Sequence, residues 1–490
     1  MKLKVRLFFF LCFSSVFLQA QNCNCTVSQV QNNTVVPCNK TVGTVVTVNS
    51  VSTLQNAINQ ANASGGNMTI LIANGTYQIA STSQYPYITA NNVVFRSLSG
   101  KRDSVIIRGG GMVSTSSAED GFSIVGNNVT IADLTIKEVG NHGIQVSGHN
   151  LYVHNVRIQN TYQQMIKGAT AAASIDSAIV QCSLMEYPAG IGPNYYIGGL
   201  DIHKGKGWIV RDNVFKNIIS PAGSPAEHAV HFWDNCMNNT VERNLIINCD
   251  RGIGFGLGTS PNSGGLICNN MIYNNGWGQF DDVGIGLETS PNTRVYNNTV
   301  FIQYFNAIEY RFTGTTNADI KNNLTNQAIA ARDGGTATLG TNVTNAQSNW
   351  FVNVNAGDLH IPSFNPAVID QGTSLSAFVT GDIDKTSRPQ GVAFDIGAHE
   401  PIAPQGISEN AAQHGVSIFP NPSKDGVFIV TTPPGNSSLK VFDLLGEVIY
   451  SASLCNENHV TINLDSRTKG MYILRIISVG KMFYDKIIIQ

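Results

Sequence analysis

The stretch GGLDIHKGKGWIVRDN, residues 198–213, puts an aspartate, a histidine and two lysines close together in a 490-residue chain of which only 13% is charged. Side chains of these types suit proton transfer at a carbon beside a carboxylate. Such chemistry needs a cation or neutral acid to offset charge on the carboxylate, a base near the carbon and an acid for the departing oxygen. His203 is one candidate base near neutral pH, and His231, in VHFW, is another. A lysine acts as base only where burial or neighbouring cations bring its pKa down from about 10.4. Lys167, Asp201 and Lys204 complete the catalytic candidates.

These residues are far apart in the chain, so a repeat must bring them together. Residues 121–136, GFSIVGNNVTIADLTI, overlay 143–158, GIQVSGHNLYVHNVRI, at an offset of 22, matching most glycine and apolar positions. A second repeat aligns GIGFGLGTSPNSGGLICNN (252–270) with GIGLETSPNTRVYNN (284–298), each a short strand, an S-P-N turn and another strand. An apolar residue followed three positions later by asparagine recurs at Val210/Asn213, Val241/Asn244, Ile267/Asn270, Val295/Asn298 and Ile320/Asn323. Units this short cannot bury an apolar face alone, whereas stacked as coils of a parallel β-solenoid they share one core. An all-β solenoid is therefore expected, with the asparagines as structural amide ladders at equivalent turns.

Alternation within the first strand of each coil points Ile144, Leu200, Val230, Ile253, Ile285 and Ile308 inward. The outward positions then form columns: Gln145 and Ser147, Asp201 and His203, His231 and Trp233, Gly254 and Gly256, Gly286 and Glu288, Glu309 and Arg311. Lys167 joins the second column if Ile166 points inward. Lys204, Lys206, Glu227, His228 and Arg332 sit at the ends of the same strands. With Trp233, Glu288, Glu309 and Arg311, the last four of these are the expected substrate-binding groups. The glycines at 254 and 256 predict a trough beside Trp233, on whose ring a sugar lies flat, a shape that suits an extended anionic glycan. Blander roles compete: a cross-coil ion ladder for Glu288, Glu309 and Arg311, solvated turns for Lys204 and Lys206, and a packed rim for Trp233. Hydrolysis of the polygalacturonase type needs paired aspartates on the groove, and Asp281-Asp282 reads as loop.

The stretch 52–79, STLQNAINQANASGGNMTILIANGTYQI, resembles the N-terminal cap of pectate-lyase-like right-handed β-helix proteins. That resemblance implies a right-handed parallel β-helix over residues 51–401. The trio Lys167, Asp201 and His203 is similar to the constellation of mannuronan epimerases, in which a lysine on one coil faces Asp-x-His on the next. Gly198 stands where that family has tyrosine, with Tyr195 and Tyr196 close by. β-Helix lyases acting on alginate and chondroitin use Lys and Arg from neighbouring coils, a pattern that Lys204, Lys206 and Arg211 resemble. The resemblance implies a polysaccharide lyase acting on a uronic-acid polymer; a uronan epimerase and a non-catalytic glycan-binding or adhesin solenoid are the alternatives.

A net charge of -2 gives no pull toward nucleic acid. Residues 1–20, with Lys2, Lys4 and Arg6 before an apolar run from Leu7 to Leu18, read as a cleavable export signal too short to span a bilayer. No other segment reads as a transmembrane span. Export permits disulfides among the eight cysteines other than Cys12, with pairing left open; no Cys-x-x-Cys pair occurs, so no zinc site is expected, and calcium is the one cofactor the sequence leaves open. A Cys/Asn/Thr-rich segment follows at 21–50. Residues 370–400 resemble the closing segment of bacterial β-helix proteins, where Asp382, Asp384, Asp395 and Glu400 suit an Arg388-centred network better than a calcium ion. After a linker at 402–415, residues 416–490 form four alternating-strand blocks, as in a small β-sandwich. Pro420-Asn421-Pro422, Gly470-Met471-Tyr472 and the end at Lys486 resemble the sorting domain of type IX secretion cargo. This implies recognition by that machinery and delivery outside the outer membrane of a Bacteroidetes-type bacterium.

Overall fold

The structure is a computed structural model that describes residues 25–79, 84–113, 120–168, 173–276, 278–362, 365–401, 416–432, 435–444, 447–454, 457–478 and 481–490. The expected export signal lies outside the described residues. The chain divides into two compact units, residues 1–401 and 402–490.

The first unit is a right-handed parallel β-helix. Strands from successive coils stack into one twelve-stranded and two ten-stranded sheets, all parallel, with a four-stranded sheet added over four central coils. Inward residues meet in register: Ile144 on Ile166, Ile166 on Leu200, Leu200 on Val230, Val230 on Ile253, Ile253 on Ile285 and Ile285 on Ile308. None exposes any surface, and each contributes about 1.5–3 kcal/mol through burial. The offset of 22 is one coil, since Phe122 pairs with Ile144 and Thr130 with Tyr152.

The asparagines behave as expected. Each Nδ2 donates to the Oδ1 of the next at 2.9–3.0 Å, through Asn213, Asn244, Asn270, Asn298, Asn323 and Asn342. Each also donates to a backbone carbonyl, as Asn270 does to Val241 at 2.9 Å. The ladder thereby pairs the backbone groups freed at a turn that the solenoid must bury on every coil.

A helix, Val51–Ser64, lies over the first coils and buries Leu54, Ala57, Ile58 and Ala61. Ser50 caps its N-terminus, and Gly65, at φ +78, ends it in the left-handed conformation that glycine adopts without penalty. Ahead of it the short helix Val27–Gln31 buries Val27 and Val30, and a disulfide joins Cys25 to Cys182 on the body of the helix. This supplies one pairing the cysteine spacing left open; Cys38, Cys236, Cys249 and Cys268 are buried thiols. At the far end, Arg388 and Glu400 form an ion pair with no side-chain exposure. Arg388 also donates to the carbonyls of Asp395 and Gly397, an arginine-centred closing network.

The second unit holds two antiparallel sheets. Ser417–Phe419, Val427–Thr431 and His459–Asn463 form one, and Ser437–Phe442, Val448–Leu454, Gly470–Ser478 and Lys481–Ile489 the other. Phe428, Val430, Leu439, Val441, Leu474 and Ile487 are buried in its core. Asn421 fastens the last strand, donating to the Lys486 carbonyl at 2.6 Å and accepting from the Ile488 N–H at 3.0 Å.

Candidate functional site

One ten-stranded sheet carries the site on its outer face. Its central strands are Gln164–Gly168, Gly198–His203, Val230–Trp233, Ile253–Phe255, Ile285–Glu288 and Asn306–Arg311. In register, Lys167 lies beside Asp201 and Asp201 beside His231, while His203 lies beside Trp233. Lys167 therefore belongs to the first outward column, not the second, because Ile166 pairs with Leu200 and fixes the phase of its strand. The side chain still spans both columns. Its Nζ donates to Asp201 Oδ2 and, at 3.0 Å, to His203 Nε2. An ammonium only donates, so His203 Nε2 accepts and the ring proton sits on Nδ1, which faces Asp234 Oδ2 at 3.6 Å. Lys204 Nζ lies 3.9 Å from the same carboxylate.

Trp233 donates from its indole N–H to Asp201 Oδ1 at 2.6 Å, and its ring sits over those of His203 and His231, at 4.2 and 5.6 Å. It is thus a half-buried cover on the cluster as well as a rim aromatic. Burial alone would raise the Asp201 carboxyl; Lys167, with His231 and His203, outweighs it and holds the group below its usual range. Burial lowers the pKa of His203, with Asp201 pulling it back upward, so the ring is neutral at pH 7. His231 is pushed down to about 4, chiefly by burial.

Exposure separates the two histidines. Lys167 and His203 keep 7% and 5% of their surface open, whereas His231 keeps none. Only the first two can touch a polymer. His231 donates from Nε2 to the Gly256 carbonyl at 3.1 Å, and its Nδ1 faces Glu227 Oε2 at 3.7 Å and Asp201 Oδ1 at 3.8 Å.

The expected trough is displaced by one coil. The imidazole of His228 occupies the space over Gly254, where an added Cβ would lie 2.7 Å from its Nε2. Gly256 is a turn residue at φ +80, close against the Glu288 carbonyl. At Gly286 a Cβ would meet only Val283, and there a cavity of about 70 Å³ opens, lined by His228, Arg251, Glu288, Glu309 and Arg311. Its charges form a cross-coil ladder: Arg311 pairs with Glu288 at 3.0 Å and with Asp333 at 2.8 Å, and Arg332 with Glu309 at 2.9 Å. Lys206 stands apart from the site: its strand belongs to the four-stranded sheet, between Asp176 and Met237.

Sequence reasoning passed over Asp120, His142 and Gln164, a buried chain on the preceding coils. His142 Nδ1 lies 3.3 Å from Asp120, and its Nε2 lies 3.2 Å from Gln164. The 22-residue offset was the available signal, since it superposes His142 on Asp120 and on Gln164. Asp234 and Arg251 were also missed. At Gly198 an added Cβ would lie 3.0 Å from that of Glu227 and 3.2 Å from Gln164 Cγ, so no tyrosine fits there without displacement.

Residues 417–490 match the family model of the secretion system C-terminal sorting domain. The tail is a type IX sorting domain. The protein is accordingly exported, to the cell surface or beyond, and no described helix is long and apolar enough to cross a membrane. No curated protein matches the chain by sequence. Among solved structures, pectate lyase Pel9A is similar at a TM-score of 0.47 and 15% identity, over 70% of this chain and 90% of that one. An alginate lyase from Paenibacillus sp. str. FPU-7 gives 0.38 and 14%, over 61% and 99%. PfbA, a surface adhesin of Streptococcus pneumoniae, gives 0.30 and 13%, over 60% and 92%. Likeness at this level follows the path of the backbone and does not choose among chemistries.

Proposed function

We propose that the β-helix is a polysaccharide lyase acting on a uronic-acid-containing polymer. The observation that supports this reading is the bridge from Lys167 to Asp201 and His203, a cation, an anion and a neutral base drawn from two coils onto one outer face. In the proposed reaction the Lys167 ammonium turns from His203 to the uronate carboxylate and offsets the charge that develops there. The freed His203 Nε2 lone pair takes the proton from the adjacent carbon. The carbon–oxygen bond β to the carboxylate breaks, a carbon–carbon double bond forms, and Lys204 protonates the departing oxygen. Asp201 holds Lys167 in place, itself anchored by the Trp233 N–H. Return of a proton to the opposite face of the carbon would give an epimerase instead.

The unsaturated uronate absorbs in the ultraviolet, so the test is a screen of alginate, pectin, glycosaminoglycans and ulvan with purified protein. Absorbance that appears on one polymer and is lost in Lys167→Ala and in His203→Ala supports the reading. Full activity in both variants overturns the site assignment. A second reading, a non-catalytic glycan-binding solenoid, is favoured by the mutual pairing and deep burial of Lys167, Asp201 and His203. Retention in a polysaccharide gel with no absorbance on any polymer, and no change in uronate stereochemistry by nuclear magnetic resonance, would select it.

A further inference from the structure

Glu227 and His228 lie just ahead of the strand Val230–Trp233, which carries His231. One carboxylate oxygen and one nitrogen from each ring lie within 4.8 Å of one another. We propose that Glu227, His228 and His231 bind a divalent transition-metal ion of the zinc class.

Two imidazoles and a carboxylate are a donor set for such an ion, which takes nitrogen and oxygen ligands in tetrahedral geometry. Metal–ligand bonds of about 2.1 Å place neighbouring tetrahedral ligands about 3.4 Å apart. His231 Nδ1 and Glu227 Oε2, at 3.7 Å, are already near that spacing.

The state of His231 follows from its partner. A carbonyl only accepts, so the bond to Gly256 places the ring proton on Nε2 and leaves the Nδ1 lone pair free, with Glu227 at 3.7 Å and Asp201 at 3.8 Å from that atom. A ring that donates its far N–H to a backbone carbonyl is the usual support of a metal-ligating histidine.

The independent observation is that the Nδ1 atoms of His228 and His231 are both buried without a hydrogen-bond partner. The two rings belong to residues 7% and 0% exposed. Buried polar atoms are ordinarily paired, and two orphans in rings that both approach one carboxylate call for a ligand. The backbone makes room for this arrangement, since His228 fits only because residue 254 lacks a Cβ. Nearby charge is balanced: the Arg251 guanidinium is paired with Asp282 at 2.8 Å.

A second cluster, Asp382, Asp384 and His399, has comparable spacing. Its oxygens are already engaged: Asp382 accepts the N–H groups of Asp384, Thr386 and Glu400, and Asp384 accepts from His360. It serves as the internal control.

The inference goes beyond the lyase reading, and its test needs no substrate. The exported chain is stripped with a chelator, then titrated with zinc chloride by calorimetry and with cobalt(II) by visible absorption. One ion per chain, an intense four-coordinate cobalt spectrum and a zinc-dependent rise in melting temperature are expected. Glu227→Gln, at a half-buried position that tolerates the change, and His228→Gln should each weaken zinc binding at least tenfold, while Asp384→Asn leaves it unchanged. Absence of stoichiometric binding, unchanged affinity in Glu227→Gln, or loss of binding in Asp384→Asn alone would overturn the proposal. Zinc bound by these residues on a protein that cuts no polymer would refute the lyase reading and leave the metal site standing.

Discussion

Lys167 and Asp201, 34 residues apart in the chain, are lateral neighbours on adjacent coils, joined by an ion pair with less than a tenth of either side chain exposed. Removing one partner of such a pair strands the other charge in a poorly solvated place, at a cost of about 3–5 kcal/mol. Asp201→Asn should therefore lower the urea midpoint strongly, whereas a double change of Lys167 and Asp201 to methionine and asparagine should recover much of the loss. Equal destabilisation in the double variant would show that the pair is not the source of the effect.

Activity and stability should separate at His203, whose ring lies outside the Lys167–Asp201 ion pair. Lys167→Ala and His203→Ala remove the proposed cation and base, and loss of such a group typically lowers kcat by about 10²–10⁴-fold. His203→Gln keeps a polar contact to Lys167 without a titratable nitrogen. It should keep the circular dichroism of the parent while losing turnover to a similar degree. Turnover near the parental rate in His203→Gln would remove the imidazole from the reaction.

The pH dependence of folding has a definite sign at His231. Burial pushes its pKa from 6.5 to about 4, so between those values the unfolded chain holds a proton there that the folded chain does not. The stability this neutral ring permits is complete above pH 6.5 and is lost as pH falls through 4, by about 3 kcal/mol for that shift. His231→Gln has nothing to titrate. Urea unfolding of the chelator-stripped proteins at pH 7.5, 5.5 and 4.5 should show the parent losing stability relative to the variant on acidification. A constant difference across that range would contradict the buried, neutral assignment.

How far the sequence disclosed this arrangement depends on which interaction carries the information. Inward isoleucines and turn asparagines repeat because every coil must bury the same face and pair the same backbone groups, so Ile144, Leu200, Asn244 and Asn270 revealed both coil and register. Lys167 was assigned to the wrong column although the offset of 22 superposes it on Gln145 in the first; the slip was of two residues along the strand, which keeps a side chain on the same face and so leaves the inward pattern unchanged. The trough at Gly254 was misplaced for another reason: what fills the space over a glycine is set by a residue on the neighbouring coil, here His228. Covering contacts such as Trp233 on Asp201 follow from side-chain rotamers, which leave no trace in spacing.

The link between Cys25 and Cys182 spans 157 residues and ties the N-terminal segment to the body of the β-helix. Loss of a native disulfide costs about 2–5 kcal/mol. The Cys25→Ser, Cys182→Ser double variant should melt several degrees below the parent, and reducing agent should lower the parent's melting temperature while leaving the variant's unchanged. A variant that melts with the parent would show that Val27 and Val30 hold the segment by burial alone.

The sorting domain makes a prediction about destination rather than chemistry. Residues 417–490 have their own core, with Phe428, Leu439 and Leu474 buried within it, as the β-helix has its own around Ile166 and Leu200. A chain ending before Ser417 should fold, bind and react as the parent does but remain inside the outer membrane when expressed in a host with type IX secretion. Asn421→Ala is the finer test, because Asn421 holds the final strand through both bonds of its amide. Loosening that strand should reduce export several-fold, measured by fractionating cells and medium. Parental amounts of the shortened chain in the medium would mean that the tail is not the export signal.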